Sequence, residues 1–238
     1  TKLILHKHGI MLNTFCLRDK KKKKGKKIMK TEMPNLSDHL TEFNDIEDIV
    51  TQAVEEEEDV RNFHFINGSM NGTKVETVDF HSCIFENCKF TECVFTNFYF
   101  ADIIFLNCDL SNVDFTKCFF RRVRFENCKA MGTNFTEATF DSVFMQNCIC
   151  KFSNLSSTKL KNSIFDHVDF SNGSFQQSSF RSVAFQECSL IETEFLNTPL
   201  KGIDFTSDEI NGILLSGPEL RGAIVTAVQA CDLSRYLG

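Results

Sequence analysis

Large apolar residues recur at every fifth position through most of this chain. The frame begins at Phe65 and continues without an insertion to Val225. Of its 26 positions from Phe80 to Phe205, eighteen are Phe and five are Leu. The three exceptions are Ala130, Met145 and Cys150. A second column, two residues before each of these centres, holds mostly small or β-branched residues, and the other positions are mainly polar.

A period of five matches neither the 3.6-residue period of an α-helix nor the two-residue period of a single strand. The chain must therefore turn a corner after every five residues, with the central residue and the small residue two before it pointing inward. Four such segments close one coil of twenty residues, and about eight coils fit between residues 60 and 225. Because paired strands lie about 4.8 Å apart, this predicts an all-β, four-sided parallel β-helix roughly 40 Å long.

Charge is distributed unevenly along the 238 residues. The formal net charge is −6, but residues 1–28 hold ten Lys or Arg and one acid, whereas residues 29–238 hold sixteen bases and 31 acids. The second region alone is therefore −15. No run of eighteen apolar residues occurs, so the sequence predicts no membrane span.

The charge and the repeat frame together divide the chain into four segments. Residues 1–28 are predicted to be a non-native or leader-derived extension, because a Lys-rich stretch precedes Met29, a candidate start. Residues 29–59 are predicted to form an acidic segment with a capping helix, and residues 60–225 the β-helix. Residues 226–238 are predicted to form a C-terminal dimerisation helix.

Both ends of the predicted rod need a cover, since an open coil exposes unpaired backbone groups. Asn44 and Glu47 have the spacing of a capping box, ahead of an apolar helical pattern that ends in the acidic run Glu55–Asp59. Thr226 and Gln229 have the same spacing at the other end. The four Glu of the acidic run are interpreted as a solvated face rather than a metal site.

Eight of the eleven cysteines lie in the small inward column, where we expect reduced core residues. No Cys-X-X-Cys pair occurs and the six His do not cluster, so the sequence predicts no disulfide, metal or cofactor. Reduced, buried thiols predict a cytoplasmic location. Five corner positions, spaced by twenty residues, are interpreted as a structural ladder of Asn: Asn67, Asn87, Asn107, Asn127 and Asn147.

The five-residue pattern resembles the pentapeptide-repeat family, whose consensus is Ala-(Asp/Asn)-Leu-X-X. Matching segments are found at residues 111–115, 133–135, 153–155 and 168–170. Phe at the centre and Cys two residues before it depart from the consensus in detail but not in pattern. The resemblance covers about 165 residues and implies a right-handed quadrilateral β-helix.

The C-terminal segment carries a narrower resemblance. Residues 217–225, followed by Gln229, Ala230 and Tyr236, are similar to the C-terminal end of Qnr and MfpA proteins. That end forms a two-fold dimer in those proteins, so a homodimer is implied, and an apolar rod end predicts the same. The unbroken frame is more similar to the loop-free forms of Gram-positive bacteria and mycobacteria. The expected interface residues are Leu215, Leu220, Val225, Val228, Cys231, Tyr236 and Leu237.

Sorting the outward residues by side separates the charges. The first side, centred on Phe85, Phe105 and each twentieth residue onward, carries mainly acids, whereas the basic side, centred on Phe80, Phe100 and each twentieth residue onward, gathers seven Lys and Arg. Qnr and MfpA proteins bind DNA gyrase and topoisomerase IV and protect them from fluoroquinolones. The resemblance therefore implies a topoisomerase partner, reached through DNA mimicry by an acidic rod. The predicted contact residues are Glu86, Glu126, Asp166, Glu187 and Asp204.

Other functions have weaker support from the residues. No nucleophile with a base, carboxylate pair in a pocket or phosphate-binding loop can be placed on a solid rod, so no enzyme activity is predicted. Direct nucleic-acid binding through the basic side lacks regular aromatic platforms. The remaining alternative is an interaction scaffold, or an immunity factor against a topoisomerase-directed toxin, with a different protein partner. Its contacts would be Ile84, Ile104, Phe144 and Ile164, expected to be exposed on the first side.

Overall fold

A computed structural model of the chain describes residues 31–75 and 78–236. The predicted extension, residues 1–28, and the expected interface residue Leu237 lie outside the described residues. Short parallel strands make up most of the secondary structure, with an α-helix near each end. No helix among the described residues is long and apolar enough to cross a membrane.

The strands fall into a long and a short group, numbered together in chain order. The long strands continue from the basic side around a corner onto the first side: β6 (Phe80–Glu86), β9 (Tyr99–Leu106), β10 (Phe119–Glu126), β11 (Thr139–Gln146), β12 (Lys159–Asp166) and β13 (Ser179–Gln186). The short strands are β1 (Thr41–Phe43), β2 (Val60–Arg61), β3 (Phe63–Ile66), β4 (Ser69–Asn71), β5 (Lys74–Val75), β7 (Lys89–Thr91) and β8 (Val94–Phe95). The helices are α1 (Ile46–Glu56) and α2 (Ala227–Leu233), with single 3₁₀ turns at Pro218–Leu220 and Ser234–Tyr236.

Each strand pairs in parallel with the strand one coil further along the chain. The largest sheet has the order β1-β3-β6-β9-β10-β11-β12-β13, and β2 also pairs with β6. Phe85 lies opposite Phe105, and Phe105 opposite Phe125, so the register is twenty residues. The predicted four-sided parallel β-helix is confirmed, with about seven turns where the spacing predicted about eight.

Phenylalanine rings fill the interior of the rod in stacks. On the first side, the ring centroids of Phe65, Phe85, Phe105 and Phe125 are 5.1, 5.0 and 4.9 Å apart in succession. These distances match the spacing of paired strands, about 4.8 Å, so each ring lies on the ring of the next coil. Burial of a Phe side chain stabilises the fold by about 2 to 3 kcal/mol, so this column is a principal source of stability.

The small inward column does more than fill space. The thiol of Cys88 donates to the carbonyl of Phe65 at 3.4 Å, and that of Cys108 donates to the carbonyl of Phe85 at 3.2 Å. Thr193 makes the corresponding bond, from its Oγ1 to the carbonyl oxygen of Phe170, at 3.0 Å. The column therefore favours small residues that carry a hydrogen-bond donor, because each can bind a carbonyl 23 residues earlier.

Most corners of the rod place one residue in a left-handed backbone conformation. Asn87 has φ 53° and Asn107 has φ 54°, a region in which Asn is enriched. The Nδ2 of Asn107 donates to Asn87 Oδ1 at 3.2 Å, and Asn127 makes the same bond to Asn107 at 3.2 Å. The predicted structural ladder of Asn is confirmed from Asn87 to Asn147, and Asn67 shares its left-handed conformation.

Helices cover both ends, as the sequence predicts, but the first cap is displaced by one residue. The N-cap of α1 is Asp45 rather than Asn44, since the Asp45 carboxylate accepts the N–H of Asp48 at 3.0 Å. The negative charge of Asp45 at the N-terminus of the helix also interacts favourably with the helix dipole. At α2 the predicted capping box is present, with the Gln229 N–H donating to Thr226 Oγ1 at 3.2 Å.

Candidate partner-binding surface

An extended N-terminal segment, residues 31–43, crosses the outside of the first side and is called the strap below. Its last three residues form β1, which pairs with Phe63–Phe65. Further from the cap, the Ser37 N–H donates to Ser82 Oγ at 2.8 Å, and the Asn35 N–H donates to Asp102 Oδ1 at 2.7 Å. Lower-numbered residues of the strap therefore contact later coils, so the chain direction of the strap is opposite to the direction in which the coils of the rod succeed one another.

The N-terminal end of the strap reaches the coil that contains Arg122 and Arg124. Met33 Sδ accepts a hydrogen bond from Arg124 Nη1 at 3.4 Å, and Glu32 lies 4.0 Å from Arg122. The strap therefore follows the corner between the basic side and the first side. It is not part of the five-residue frame, so the periodicity contains no signal for its path.

The expectation of an exposed apolar row on the first side is wrong for three of its four residues, and Phe144 is partly exposed. Ile84 and Ile104 are each 2% exposed, and Ile164 is also buried. The strap contacts at Ser82 and Asp102 place it beside the first two of these residues. The repeat predicts the outward direction of these side chains, but it contains no information on a segment that covers them.

Glu126, one of the predicted contact residues, is not on the accessible surface. Its carboxylate pairs with Arg124, and the two residues are 8% and 3% exposed. The guanidinium carbon of Arg124 also lies 4.9 Å from the ring centroid of Phe144. Burial lowers the pKa of Arg124 from its ordinary value, opposed by the Glu126 charge. The expectation that Glu126 is a free surface acid is therefore corrected.

The other predicted acids of the first side remain at least partly accessible. Glu86 Oε2 lies 3.0 Å from Nε2 of the buried His64. Asp204 Oδ1 accepts hydrogen bonds from the N–H of Thr206 at 3.1 Å and from its hydroxyl at 2.6 Å. Both carboxylates are thus oriented by neighbouring groups.

Asp166 and Glu187 are joined through one imidazole. His167 Nδ1 lies 2.7 Å from Asp166 Oδ1, and His167 Nε2 lies 3.0 Å from Glu187 Oε2. Gln146 Nε2 donates to the other Asp166 oxygen at 2.9 Å. The structure therefore brings two of the predicted acids into one polar cluster on the C-terminal part of the first side, called the lower first side below, where the Glu187 side chain is half-exposed. The spacing of twenty residues between His167 and Glu187, and between Gln146 and Asp166, was the signal in the sequence for these contacts.

Asp208 is an acid in an unusual place, because it occupies the small inward column. One carboxylate oxygen accepts the N–H of Cys188 at 2.8 Å, while the other is buried with no hydrogen-bond partner among the described residues. Burial raises its pKa to about 6, and the nearby Asp204 and Glu187 add to the rise. This group opposes folding when it is ionised.

The C-terminal end presents some, but not all, of the residues expected at a dimer interface. Leu215 belongs to the buried core, which corrects its expected place at the surface. Leu220 and Val225 are partly buried against the core, while Cys231 is exposed and Val228 is 74% exposed.

A hollow of about 500 Å³ lies beside these residues, lined by Pro218, Leu220, Ala223, Val225, Leu233 and Tyr236. The Tyr236 hydroxyl donates to the carbonyl of Ile213, which ties the end of the chain to the rod. Glu219 also holds this region, since its carboxylate accepts the N–H groups of Asn197 at 2.9 Å and Ser216 at 3.0 Å. The end is therefore a firmly attached, largely apolar surface.

One group of side chains has the separations of metal ligands. Oxygen or nitrogen atoms of Asp59, Asp79 and His81 lie within 4.8 Å of one another, a juxtaposition that the sequence analysis missed. Arg61 Nη2 already contacts Asp59 Oδ2 at 2.5 Å. Burial lowers the pKa of His81, and the Arg61 charge lowers it further. We interpret the group as an ion-pair network, because the guanidinium occupies the oxygen that a metal would need.

Comparison with known proteins agrees with this architecture. The profile of a family described as pentapeptide repeat region matches residues 78–155, and one described as pentapeptide repeats matches residues 148–186. No curated protein sequence matches the chain.

Among solved structures, trypsin-treated QnrB1, described as a plasmid-mediated fluoroquinolone resistance protein, aligns over 85% of this chain and 98% of its own, with 21% identity and a TM-score of 0.49. HetL of the cyanobacterium Nostoc sp. strain PCC 7120 aligns over 70% of this chain and 86% of its own, with 12% identity and a TM-score of 0.27. The profile matches, together with the unbroken five-residue frame and the twenty-residue strand register, show that residues 78–186 form a pentapeptide-repeat region.

Proposed function

We propose that this protein binds a type II topoisomerase, DNA gyrase or topoisomerase IV, as a DNA mimic, and thereby protects it from fluoroquinolones or modulates its activity. The observation that carries the proposal is the acidic charge: residues 29–238 hold sixteen bases against 31 acids, and the rod itself, residues 60–225, holds fourteen bases against nineteen acids. A narrow, acidic solenoid attracts a protein groove that is built to hold DNA. The similarity of residues 217–225 to Qnr and MfpA proteins supports the same partner.

On the first side, we propose the lower part as the main contact surface. Glu187 and Asp166 lie together around His167, below the region that the strap crosses. Asp204 lies on the same side, one coil further along. Glu86 remains a proposed contact nearer the strap, whereas Glu126 would first have to leave Arg124.

A homodimer through the C-terminal end would double the length of the acidic body. The exposed Val228 and the hollow beside Tyr236 provide apolar surface for such a contact. Sedimentation of the full chain tests the dimer, and Val228→Glu should shift it towards the monomer because a charge would be buried at the interface. In this role the chain acts as a binding protein rather than an enzyme, and its free, buried cysteines agree with a cytoplasmic location.

The decisive measurement is DNA supercoiling by purified gyrase, with and without ciprofloxacin, across a titration of the protein. Restored supercoiling in the presence of the drug supports protection. Inhibition without the drug, and no rescue with it, supports mimicry without protection. No effect at high micromolar protein would contradict topoisomerase binding.

A matched pair of variants then locates the contact. Asp166→Asn with Glu187→Gln should weaken the effect on gyrase about fivefold or more, since two charges leave the proposed contact. Glu92→Gln with Glu137→Gln removes the same charge from exposed corners away from the first side and should change the effect by less than about twofold. Equal losses from both pairs would mean that the overall acidic field, rather than the first side, is recognised.

One observation favours a second candidate, an interaction scaffold with a different protein partner. Phe152 is 58% exposed and has φ 59°, and it is the only large apolar residue among the described positive-φ positions outside glycine. A bulky residue in this conformation is strained, which often marks a functional position. If gyrase does not respond to the protein, Phe152→Asn should abolish capture of the true partner while leaving the fold intact.

A further inference from the structure

A second charged surface lies on the basic side and has the opposite sign. Lys161, Arg181, Lys201 and Arg221 occupy the same outward position in four successive coils, and all four are exposed. Lys161 lies directly opposite Arg181 in the strand register, and the twenty-residue register is also found in the last coil, where Asp204 pairs with Ile224. These four residues are called the cation row below.

Several stacked charges elsewhere on the rod are of opposite sign. Lys129 lies 3.6 Å from Asp109, and Lys117 lies 3.9 Å from Glu137, each pair spanning adjacent coils. Such pairs stabilise neighbouring strands, whereas like charges directly opposite each other destabilise them.

The cation row departs from this rule. Only its first member has an acid nearby, since Lys161 Nζ lies 2.9 Å from Asp141. No carboxylate of the described residues forms an ion pair with the other three. Repulsion between the cations of the row therefore destabilises the folded state, so the row does not contribute to stability.

The surroundings of the row leave it open to a partner. Ser179 and Pro199 lie on one side of the cations, and the corner beyond them holds Ser182, Gly202 and Gly222. These side chains are small and uncharged, so they allow a second backbone to come close. The acids of the first side, including Asp166 and Asp204, lie around the corner and would repel a wide polyanion such as a DNA duplex.

The spacing of the row identifies the shape of the partner. Successive coils rise by about 4.8 Å, so the four cations span about 14 Å. An α-helix rises by about 5.4 Å per turn, which places four acids, one per turn, over about 16 Å. Side chains on one face of an extended peptide lie about 6.8 Å apart and would span about 20 Å. We propose that the cation row binds an acidic α-helix of a partner protein that carries one carboxylate per turn.

Fluorescence anisotropy with the full-length protein tests this proposal at low ionic strength. The probe is a labelled helical peptide with one Glu per turn on a single face. The controls are a peptide of the same composition with its Glu residues spread around the helix, and a short labelled DNA duplex. The single-face peptide should bind about tenfold more tightly than either control, and binding should weaken with salt.

Matched variants separate the row from the general charge. Arg181→Gln with Lys201→Gln should weaken peptide binding about tenfold, because two exposed ion pairs are lost. Lys117→Gln with Lys129→Gln removes the same charge from other sides and should change binding by less than about twofold. The first pair should also raise the melting temperature at low salt, while the second should lower it.

Three results would overturn the proposal. Equal losses from the two variant pairs would mean that binding follows net charge alone. Tighter binding of the duplex than of the single-face peptide would assign the row to nucleic acid. An unchanged or lower melting temperature for Arg181→Gln with Lys201→Gln would show that the row does not strain the fold.

Discussion

Ile104 and Ile224 are the same residue at the same position of the repeat on the same side of the rod, yet Ile104 is 2% exposed and Ile224 is 47% exposed. The strap contacts the rod beside Ile104, whereas Ile224 lies in the last coil, beyond the coils that the strap contacts. The repeat therefore determines which way a side chain points, whereas its packing neighbours determine whether it meets solvent; the buried Ile164 shows that the strap is one such neighbour among several. The four predictions below test this division between the upper and lower first side.

The largest effect is expected where the upper region buries a charge pair. Glu126→Leu should lower the free energy of unfolding by about 3 to 5 kcal/mol, because Arg124 would remain buried without its partner. Urea titration followed by circular dichroism measures this change. The double variant Arg124→Leu with Glu126→Leu should recover most of the loss, since it leaves no buried charge.

The exposed pair Lys117 and Glu137 provides the control for this variant. Glu137→Gln should change the free energy of unfolding by less than about 1 kcal/mol, because both side chains are half-exposed. A loss from Glu126→Leu no greater than this control would show that the upper region is as open to water as the lower one.

The comparison of the two isoleucines can be made directly. Ile104→Ser should lower the free energy of unfolding by about 2 to 4 kcal/mol, because a buried apolar side chain is replaced by a polar one. Ile224→Ser should cost less than about 0.5 kcal/mol. Similar losses from both would contradict the covering role of the strap.

A smaller gain is expected from Asp208→Thr near the lower end. Thr193 and Thr198 show that a Thr hydroxyl in this column donates to a carbonyl 23 residues earlier, at 3.0 Å in the case of Thr193, and the substituted hydroxyl would gain the same bond. The folded-state pKa of Asp208, about 6, lies above its ordinary value, so protonation stabilises the fold below pH 4 and this contribution is lost as the pH rises through 6.

The expected gain for Asp208→Thr is therefore largest in alkaline solution, at about 2 to 3 kcal/mol at pH 8, and it should shrink as the pH falls towards 4. Melting temperatures from pH 4 to 8 measure it. A gain that did not depend on pH would show that the carboxylate titrates normally. Asp141→Asn removes the same charge from a partly exposed ion pair and provides the control.

The smallest effect concerns reactivity rather than stability. Burial raises the pKa of the Cys83, Cys118 and Cys188 thiols to about 12, so they should remain protonated and unreactive in the folded protein. Cys231 is exposed and should react with a thiol reagent within minutes. Mass spectrometry of the labelled protein identifies the sites, and rapid labelling of Cys188 before unfolding would mean that the lower rod opens.

The interior was predictable from the sequence because it depends on local spacing alone. Phe85 and Phe105 stack as the five-residue and twenty-residue periods require, and the Asn ladder follows from the same arithmetic. The hydrogen bond from Cys88 to the carbonyl of Phe65 was not predicted, because the pattern gives the size of a residue but not the partner of its donor.

The outer surface was less predictable, because its contacts join residues that no period relates. Ser37 of the strap meets Ser82, and the strap lies beside Ile84 and Ile104, which the repeat pattern alone predicts to be exposed. The burial of Glu126 with Arg124 was missed for the same reason. The cation row, in contrast, was visible as a charge excess on one side, although only the strand register showed Lys161 directly opposite Arg181.

The twenty-residue register also limits how the rod can change length in evolution. Loss of twenty residues removes one coil and leaves every outward row in line, because each coil contacts only its neighbours. Loss of five residues rotates everything beyond the deletion by a quarter turn. A deletion of five before Lys161 would carry the cation row from the basic side onto the adjoining side and out of line with Arg121. Insertions and deletions that preserve the surface must therefore comprise whole turns of twenty residues. The alignment of Lys161 with Arg181 depends on this spacing as well as on the charge of the two residues.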